Sequence, residues 1–85
     1  MYYVYLLRSD RTGKWYIGST NDLRRRLIAH NRGDCKSTKP GTPWSLVYYE
    51  AFPAEHPARL REQKLKHHGK GLSELKKRIL GEVNP

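Results

Sequence analysis

Residues 16–30 read YIGSTNDLRRRLIAH, and the chain changes from a strand pattern to a helix pattern inside this segment. Residues 14–18 are rich in aromatic and β-branched side chains, which predicts a short β-strand. Residues 19–22 offer several N-cap side chains, so a helix is predicted from about Asp22 to Asn31. Gly33 stands where a glycine typically ends a helix.

The segments on either side of this junction predict two further strands. Tyr2 to Leu7 is β-branched and aromatic, and residues 9–13 are dense in turn formers, so the first two strands should form an antiparallel hairpin. Residues 33–45 combine glycine, proline and lysine and predict a basic loop. Ser45 to Phe52 predicts the third strand.

Two helices should complete the chain. Pro57 fits the first turn of one helix that ends near His68, with Gly69 as its stop. Gly71 and Ser73 should open the other, in which apolar residues recur at helical spacing before Gly81. The element order is then ββαβαα. The predicted fold class is α+β, with a small three-stranded antiparallel or mixed sheet flanked by helices, in one domain over residues 1–81 and a tail over residues 82–85.

The charge balance favours a polyanionic partner. Seventeen Lys and Arg against eight Asp and Glu give a net charge of +9, and a field of that sign attracts nucleic acid. A merely soluble basic surface is the alternative. An anionic membrane is disfavoured because no basic amphipathic helix with an apolar face is evident. Cys35 is the only cysteine, and the N-terminus reads as a strand rather than a signal peptide, so a cytoplasmic protein is expected.

Three groups of residues could carry chemistry. Tyr5 and Tyr16 share a sheet face only if the hairpin register pairs residues whose numbers sum to an odd value; cross-strand aromatic packing would equally explain them. Arg26 and His30 are i, i+4 neighbours at the border of the buried stripe of the first helix. Glu62 lies on the inward side of a basic helix, where an arginine or a divalent cation could compensate its charge.

Taken together, these spacings resemble the GIY-YIG endonuclease family. Residues 3–5 (YVY) stand in the place of the GIY triplet, with Tyr3 replacing the glycine, and residues 16–18 (YIG) are an intact second triplet. Arg26 and His30 match the family's helix motif, and Glu62 stands where the family carries a metal-binding glutamate. The closest likeness is to the small bacterial single-domain members, which are similar to the nuclease domain of excision-repair and structure-specific endonucleases.

The resemblance implies a metal-dependent DNA endonuclease acting in DNA repair or on structured DNA. It implies Mg²⁺ or Mn²⁺ held by Glu62, and Tyr5 as general base with Tyr16 and His30 positioning or relaying the proton. A phenol is a weak base near neutral pH, so the positive charge of Arg26 is expected to favour the phenolate and to stabilise the phosphate.

Duplex or structured DNA is the expected partner, contacted through basic side chains on its phosphates. The candidate contacts are Arg24, Arg25, Lys36, Lys39, Arg61 and Lys64. The alternative function is a nucleic-acid-binding module of the same fold with little or no catalysis. A third class is an accessory subunit with Trp15, Trp44 or Tyr48-Tyr49 as exposed anchors, although those rings are expected in the core.

Overall fold

The computed structural model of this chain describes residues 1–67 and 69–81. The expected tail over residues 82–85 lies outside the described residues. So does His68, near which the second helix was expected to end.

The described residues form a three-stranded sheet and three helices in the predicted order ββαβαα. Both strand pairs are antiparallel and the strand order is β2-β1-β3, which decides between an antiparallel and a mixed sheet. The elements are β1 (Tyr2–Ser9), β2 (Trp15–Thr20), α1 (Leu23–Asn31), β3 (Trp44–Phe52), α2 (Glu55–His67) and α3 (Gly69–Ile79), with a short 3-10 helix over Lys39–Gly41.

Local signals account for most helix ends. The Asp22 side chain accepts a hydrogen bond from the backbone N–H of Arg25 at 3.0 Å and caps α1. Gly33 and Gly81 follow α1 and α3 with φ angles of +78° and +72°, the left-handed conformation that favours glycine. The prediction that Gly69 stops the second helix is wrong, because Gly69 instead opens α3, two residues before the predicted start.

The central position of β1 buries both of its faces. Val4 and Leu6 point to what we call the core face, where they pack with Ile17 of β2 and with α2 and α3 through Ala58, Leu65 and Leu75. The other face, which we call the site face, carries Tyr3, Tyr5 and Leu7. On it Tyr5 and Leu7 pack with Trp44, Leu46 and the α1 side chains Leu23 and Leu27.

A β-bulge in β3 decides which of its side chains reach the site face. Leu6 pairs with Tyr48 and Leu7 pairs with Leu46, so Val47 is the extra residue between them. Val47 and Tyr48 therefore both pack against the core cluster, although they are neighbours in sequence. Tyr49, which pairs with Tyr5, consequently lies on the site face.

The rings considered as exposed anchors divide between core and surface. Trp44 is 7% exposed and belongs to the site-face cluster, while Trp15 and Tyr48 are partly buried against the core-face cluster. The prediction that Tyr49 lies in the core is wrong, because 53% of its surface is exposed. No helix in residues 1–67 or 69–81 combines the length and apolar character needed to cross a membrane.

Candidate active site

A buried histidine connects β1 to the loop that follows α1. His30 is fully buried on α1, and its Nε2 lies 2.8 Å from the hydroxyl oxygen of Tyr5. Its Nδ1 lies 2.8 Å from Oγ1 of Thr38, a residue that is also buried. Both ring nitrogens are therefore engaged, and the imidazole is held in one orientation between two hydroxyl groups.

One tautomer of His30 gives this chain of groups a direction. Thr38 Oγ1 donates to the carbonyl oxygen of Cys35 at 3.3 Å, and in the tautomer compatible with that bond Nδ1 of His30 carries the proton and donates to Thr38 Oγ1. Nε2 of the neutral imidazole then accepts from the Tyr5 hydroxyl. His30 is thus arranged to take a proton from Tyr5.

The second motif tyrosine completes an aromatic cluster around His30. β1 and β2 pair with residue numbers that sum to 23, as in Tyr5 with Gly18 and Leu7 with Tyr16. This odd sum places Tyr5 and Tyr16 on the same face, in diagonal rather than directly opposite positions. Their ring centroids are 6.4 Å apart, and the Tyr16 ring lies 5.0 Å from that of His30 in an edge-to-face arrangement.

Gly18 makes room for the Tyr5 ring. A Cβ atom at Gly18 would lie 2.5 Å from the Tyr5 hydroxyl oxygen and 2.6 Å from the ring carbon that bears it. The Tyr5 ring therefore lies directly over the backbone of β2. A glycine inside a strand is typical of such a close approach.

Burial decides the protonation state of the cluster. It raises the pKa of Tyr5 to about 12, although interaction with Arg26 acts in the opposite direction. The expectation that positive charge favours the phenolate is therefore wrong for this environment, because desolvation of the anion outweighs the arginine. Burial, with the charge of Arg26 adding to it, also lowers the pKa of His30. Both groups are neutral at pH 7.

Glu62 is held on the opposite side of the sheet from this cluster. Ser19 Oγ donates to Glu62 Oε1 at 2.6 Å, and Lys66 Nζ lies 2.7 Å from Glu62 Oε2. Ser19 pairs with Val4, so this contact is on the core face. The side chain that pairs with Glu62 is a lysine one helical turn away, whereas the sequence left an arginine or a divalent cation open.

The carboxyl of Glu62 is ionised and accessible. Burial opposes ionisation, but hydrogen bonds from Lys66 and Ser19 outweigh it and hold the pKa of Glu62 below its ordinary value. The side chain retains 17% exposure. Within residues 1–67 and 69–81, no group of three or more His, Cys, Asp or Glu side chains is positioned to bind a metal ion.

A groove at the edge of the sheet lies between the two halves of the candidate site, although Tyr5, His30 and Glu62 themselves do not line it. Its walls include Ser19 and Thr20 of β2, Arg26 of α1, and Ala58 and Arg59 of α2. Since β2 is an edge strand, the groove passes from the side of α1 to the side of α2 without crossing another strand. Arg26 also borders a second open groove, along the exposed arginines of α1.

The basic residues expected to contact phosphate are not equivalent. Arg61 is half-buried and donates two hydrogen bonds to Glu50, from Nε at 2.9 Å and from Nη2 at 3.0 Å. Its guanidinium is therefore engaged in holding α2 against β3. The exposed members of the set are Arg24, Arg25, Lys36, Lys39 and Lys64.

Two site residues have weak signals in the sequence. Thr38 lies in the loop predicted as basic, where nothing in the sequence indicates that its hydroxyl reaches His30. Ser19 directly follows the YIG triplet, and its alternation with Gly18 along β2 could have placed it on the face opposite Tyr5. The contact with Glu62 depends on how α2 packs, so it required the structure.

Comparison with known proteins identifies the family to which this chain is similar. A family model described as the GIY-YIG catalytic domain matches residues 1–77. A UPF0213 protein of Streptococcus pneumoniae is 42% identical over 65 residues, which cover 75% of this chain and 65% of that protein. A UPF0213 protein of Halobacterium salinarum is 37% identical over 67 residues, which cover 78% of this chain and 86% of that protein. The chain thus spans a little less than two thirds of the streptococcal relative.

A solved structure has the same fold. The solution NMR structure of a UPF0213 protein from Bacillus halodurans matches with a TM-score of 0.55 and 35% sequence identity. The match covers 89% of this chain and 84% of that one.

Proposed function

The chain belongs to the GIY-YIG catalytic domain family, and from that premise we propose that it is a metal-dependent DNA endonuclease. It would hydrolyse phosphodiester bonds in DNA repair or in the processing of structured DNA. The observation that carries the proposal is the buried contact between Tyr5 and His30, with the Tyr16 ring packed on the same imidazole. A buried histidine needs a partner on each ring nitrogen, and what distinguishes His30 is that its Nε2 partner is the tyrosine of the first motif triplet, with the tyrosine of the second triplet packed on its ring.

Glu62 is the residue that would hold the metal. Mg²⁺ and Mn²⁺ prefer oxygen ligands, and Mg²⁺ is commonly bound by one or two carboxylates together with water and substrate phosphate. An ionised and partly exposed carboxylate, oriented by Ser19, fits that requirement. When bound, the ion would act as a Lewis acid toward the scissile phosphate.

The neutral state of Tyr5 favours a relay over a preformed phenolate. In the proposed step, the attacking water passes a proton to the Tyr5 oxygen while the Tyr5 proton moves to Nε2 of His30. The resulting hydroxide forms the new oxygen–phosphorus bond, and the bond from phosphorus to the leaving oxygen breaks. The leaving oxygen takes its proton from solvent. The imidazolium keeps its second proton on Nδ1, hydrogen-bonded to Thr38.

Arg26 and Tyr16 would assist this step in different ways. Arg26 lines the same groove as Ser19, and its guanidinium would contact a phosphate bound there. Tyr16 restricts the His30 ring from the side of β2. The exposed residues Arg24, Arg25, Lys36, Lys39 and Lys64 would contact the backbone of the DNA, which carries no sequence information.

Cleavage assays with purified protein test the proposal. Branched, flapped and duplex DNA should each be incubated with Mg²⁺, with Mn²⁺ and with EDTA. Wild-type protein should cleave at least one substrate only when the metal is present, and Glu62→Gln should be inactive. Glu74→Gln, which removes an exposed carboxylate on α3, is the matched control and should remain active. Cleavage by Glu62→Gln at the wild-type rate would overturn the assignment of Glu62.

A nucleic-acid-binding module without catalysis is the second candidate function. Two observations favour it: Lys66 already neutralises Glu62, and Tyr3 stands in the place of the glycine of the first motif triplet. The same assays separate the two functions. DNA binding without cleavage under any of the metal conditions would support the module.

A further inference from the structure

A pair of aromatic rings, one exposed and one half-buried, continues the site face beyond the candidate catalytic cluster. The ring centroids of Tyr3 and Tyr49 are 6.0 Å apart, with an interplanar angle of 67°. Tyr49 pairs directly with Tyr5 across the β1–β3 ladder, and Tyr3 lies two residues before Tyr5 on β1. Both rings therefore share the face on which Tyr5 contacts His30.

The pair makes little contribution to the core. Neither ring is among the residues that form or pack against the two hydrophobic clusters, and Tyr49 is 53% exposed. Single exposed apolar residues are common on protein surfaces. Two adjoining aromatic rings beside a buried tyrosine–histidine contact are more specific, because such patches are typical of interaction surfaces.

The position of Tyr3 also accounts for its replacement of the motif glycine. Its ring contacts Tyr49 on β3, whereas Gly18 and Ser19 lie on β2, on the other side of β1. The large side chain is therefore directed to the strand opposite the groove that leads to Glu62. It adds an aromatic surface next to the candidate site.

The surroundings of the pair favour a nucleic-acid strand as its occupant. The chain carries a net charge of +9, and α1, which packs on the same sheet face, exposes Arg24, Arg25 and Arg26. Aromatic side chains on the face of a sheet stack on bases that are free of a double helix. Bases within a duplex are already stacked on their neighbours and cannot reach such rings without being extruded.

We propose that Tyr3 and Tyr49 form a stacking platform for an unpaired base of the substrate strand, next to the phosphate positioned at Tyr5. The inference rests on the proposed nuclease function and narrows it to strands with unpaired nucleotides beside the cleaved bond. Phosphates of that strand would lie toward the exposed arginines of α1, which are Arg24, Arg25 and Arg26.

Binding measured without cleavage tests the platform. Fluorescence anisotropy in EDTA should compare a labelled oligothymidylate with a hairpin duplex of equal length. Tyr49→Leu should weaken binding of the single strand by about ten-fold or more, the range for loss of one stacked base. It should leave duplex binding within about two-fold, because phosphate contacts are unchanged. Tyr3→Leu should act in the same direction as Tyr49→Leu.

Matched variants separate stacking from general effects. Tyr49→Phe retains the ring and should bind the single strand like wild type. Ile28→Ala removes another exposed apolar side chain, on α1, and should also bind like wild type. Equal affinity of Tyr49→Leu and Tyr49→Phe for the single strand would overturn the platform, as would the absence of single-strand binding by wild type.

The outcome is distinguishable from failure of the nuclease proposal. If Tyr49→Leu loses single-strand binding while wild type cleaves nothing with metal, the platform stands and catalysis fails. If wild type cleaves with metal and all Tyr49 variants bind single strands equally, catalysis stands and the platform fails.

Discussion

Gly18 and Tyr5 are directly paired across the first two strands, and the Tyr5 hydroxyl lies where a side chain at Gly18 would begin. This relationship explains why the second motif triplet ends in glycine. The ring of Tyr5 lies over the backbone of β2 at Gly18, and His30 contacts its hydroxyl from α1.

Gly18→Ala should displace Tyr5 and disable the site. The new Cβ would lie 2.5 Å from the hydroxyl oxygen of a buried ring, and overpacking of this kind costs about 1–3 kcal/mol of stability. Thermal unfolding and cleavage rate should both fall. Gly71→Ala is the control, since nothing lies within 4 Å of its Cβ on α3; it should be neutral or slightly stabilising. Unchanged cleavage by Gly18→Ala would contradict the placement of Tyr5.

Thr38→Val should weaken the relay by leaving the Nδ1–H of His30 without its partner. A buried donor that loses its acceptor costs about 1–3 kcal/mol, and cleavage should slow because the imidazole is no longer held in one tautomer. Nitrogen chemical shifts of the His30 ring would report the tautomer directly. Thr38→Ser keeps the hydroxyl and should restore both rate and shifts; identical behaviour of the valine and serine variants would argue against the hydrogen bond.

Acid should destabilise the protein through His30. Because burial and Arg26 lower its pKa in the folded state, the unfolded chain binds the proton more tightly. The stability that this group contributes is present above its ordinary value of 6.5 and is lost as the pH falls through the lower folded value. Unfolding measured at successive pH values should show this loss. His30→Gln should make stability less dependent on pH in that range. If the stability of the variant fell as steeply with pH as that of wild type, other groups would be responsible.

Lys66→Met should raise the affinity of the protein for Mn²⁺. The ammonium group lies 2.7 Å from Glu62 Oε2 and competes with a divalent ion for that oxygen. Exposed ion pairs contribute about 0.2–1 kcal/mol, so a gain of up to about five-fold is expected. Calorimetry or electron paramagnetic resonance would measure it without a substrate.

The control for this experiment is Lys64→Met, which removes the same charge from an exposed position on α2. Equal gains in the two lysine variants would show that only the overall charge matters. Binding in neither wild type nor Lys66→Met would instead count against Glu62 as a metal ligand.

Arg61 and Lys64 should differ in what they support, although both are basic residues of α2. Arg61→Ala should lower stability by about 1 kcal/mol, since it removes a bidentate bond to Glu50. Lys64→Ala should leave stability unchanged. It should lower the slope of the logarithm of DNA affinity against the logarithm of salt concentration by about one. If Arg61→Ala instead reduced the salt dependence of DNA binding and left the free energy of unfolding unchanged, Arg61 would be a DNA contact after all.

The sequence by itself determined the element order, the strand-to-helix junction at Asp22 and the glycines that follow α1 and α3. These features depend on side-chain alternation, capping oxygens and backbone freedom, which act over a few residues. The motif residues Tyr5, Tyr16, Arg26, His30 and Glu62 were likewise identified from spacing and resemblance.

Only the tertiary structure decided how those residues are distributed. The hairpin register places Tyr5 and Tyr16 on one face, while the packing of α2 places Glu62 on the other, so the two halves lie on opposite faces of the sheet beside the edge strand β2. The bulge at Val47 reverses the alternation of β3 and brings Tyr49, rather than Tyr48, beside Tyr5. Burial then sets Tyr5 as a neutral phenol. Register, bulges and desolvation depend on contacts between residues distant in sequence, which no local pattern records.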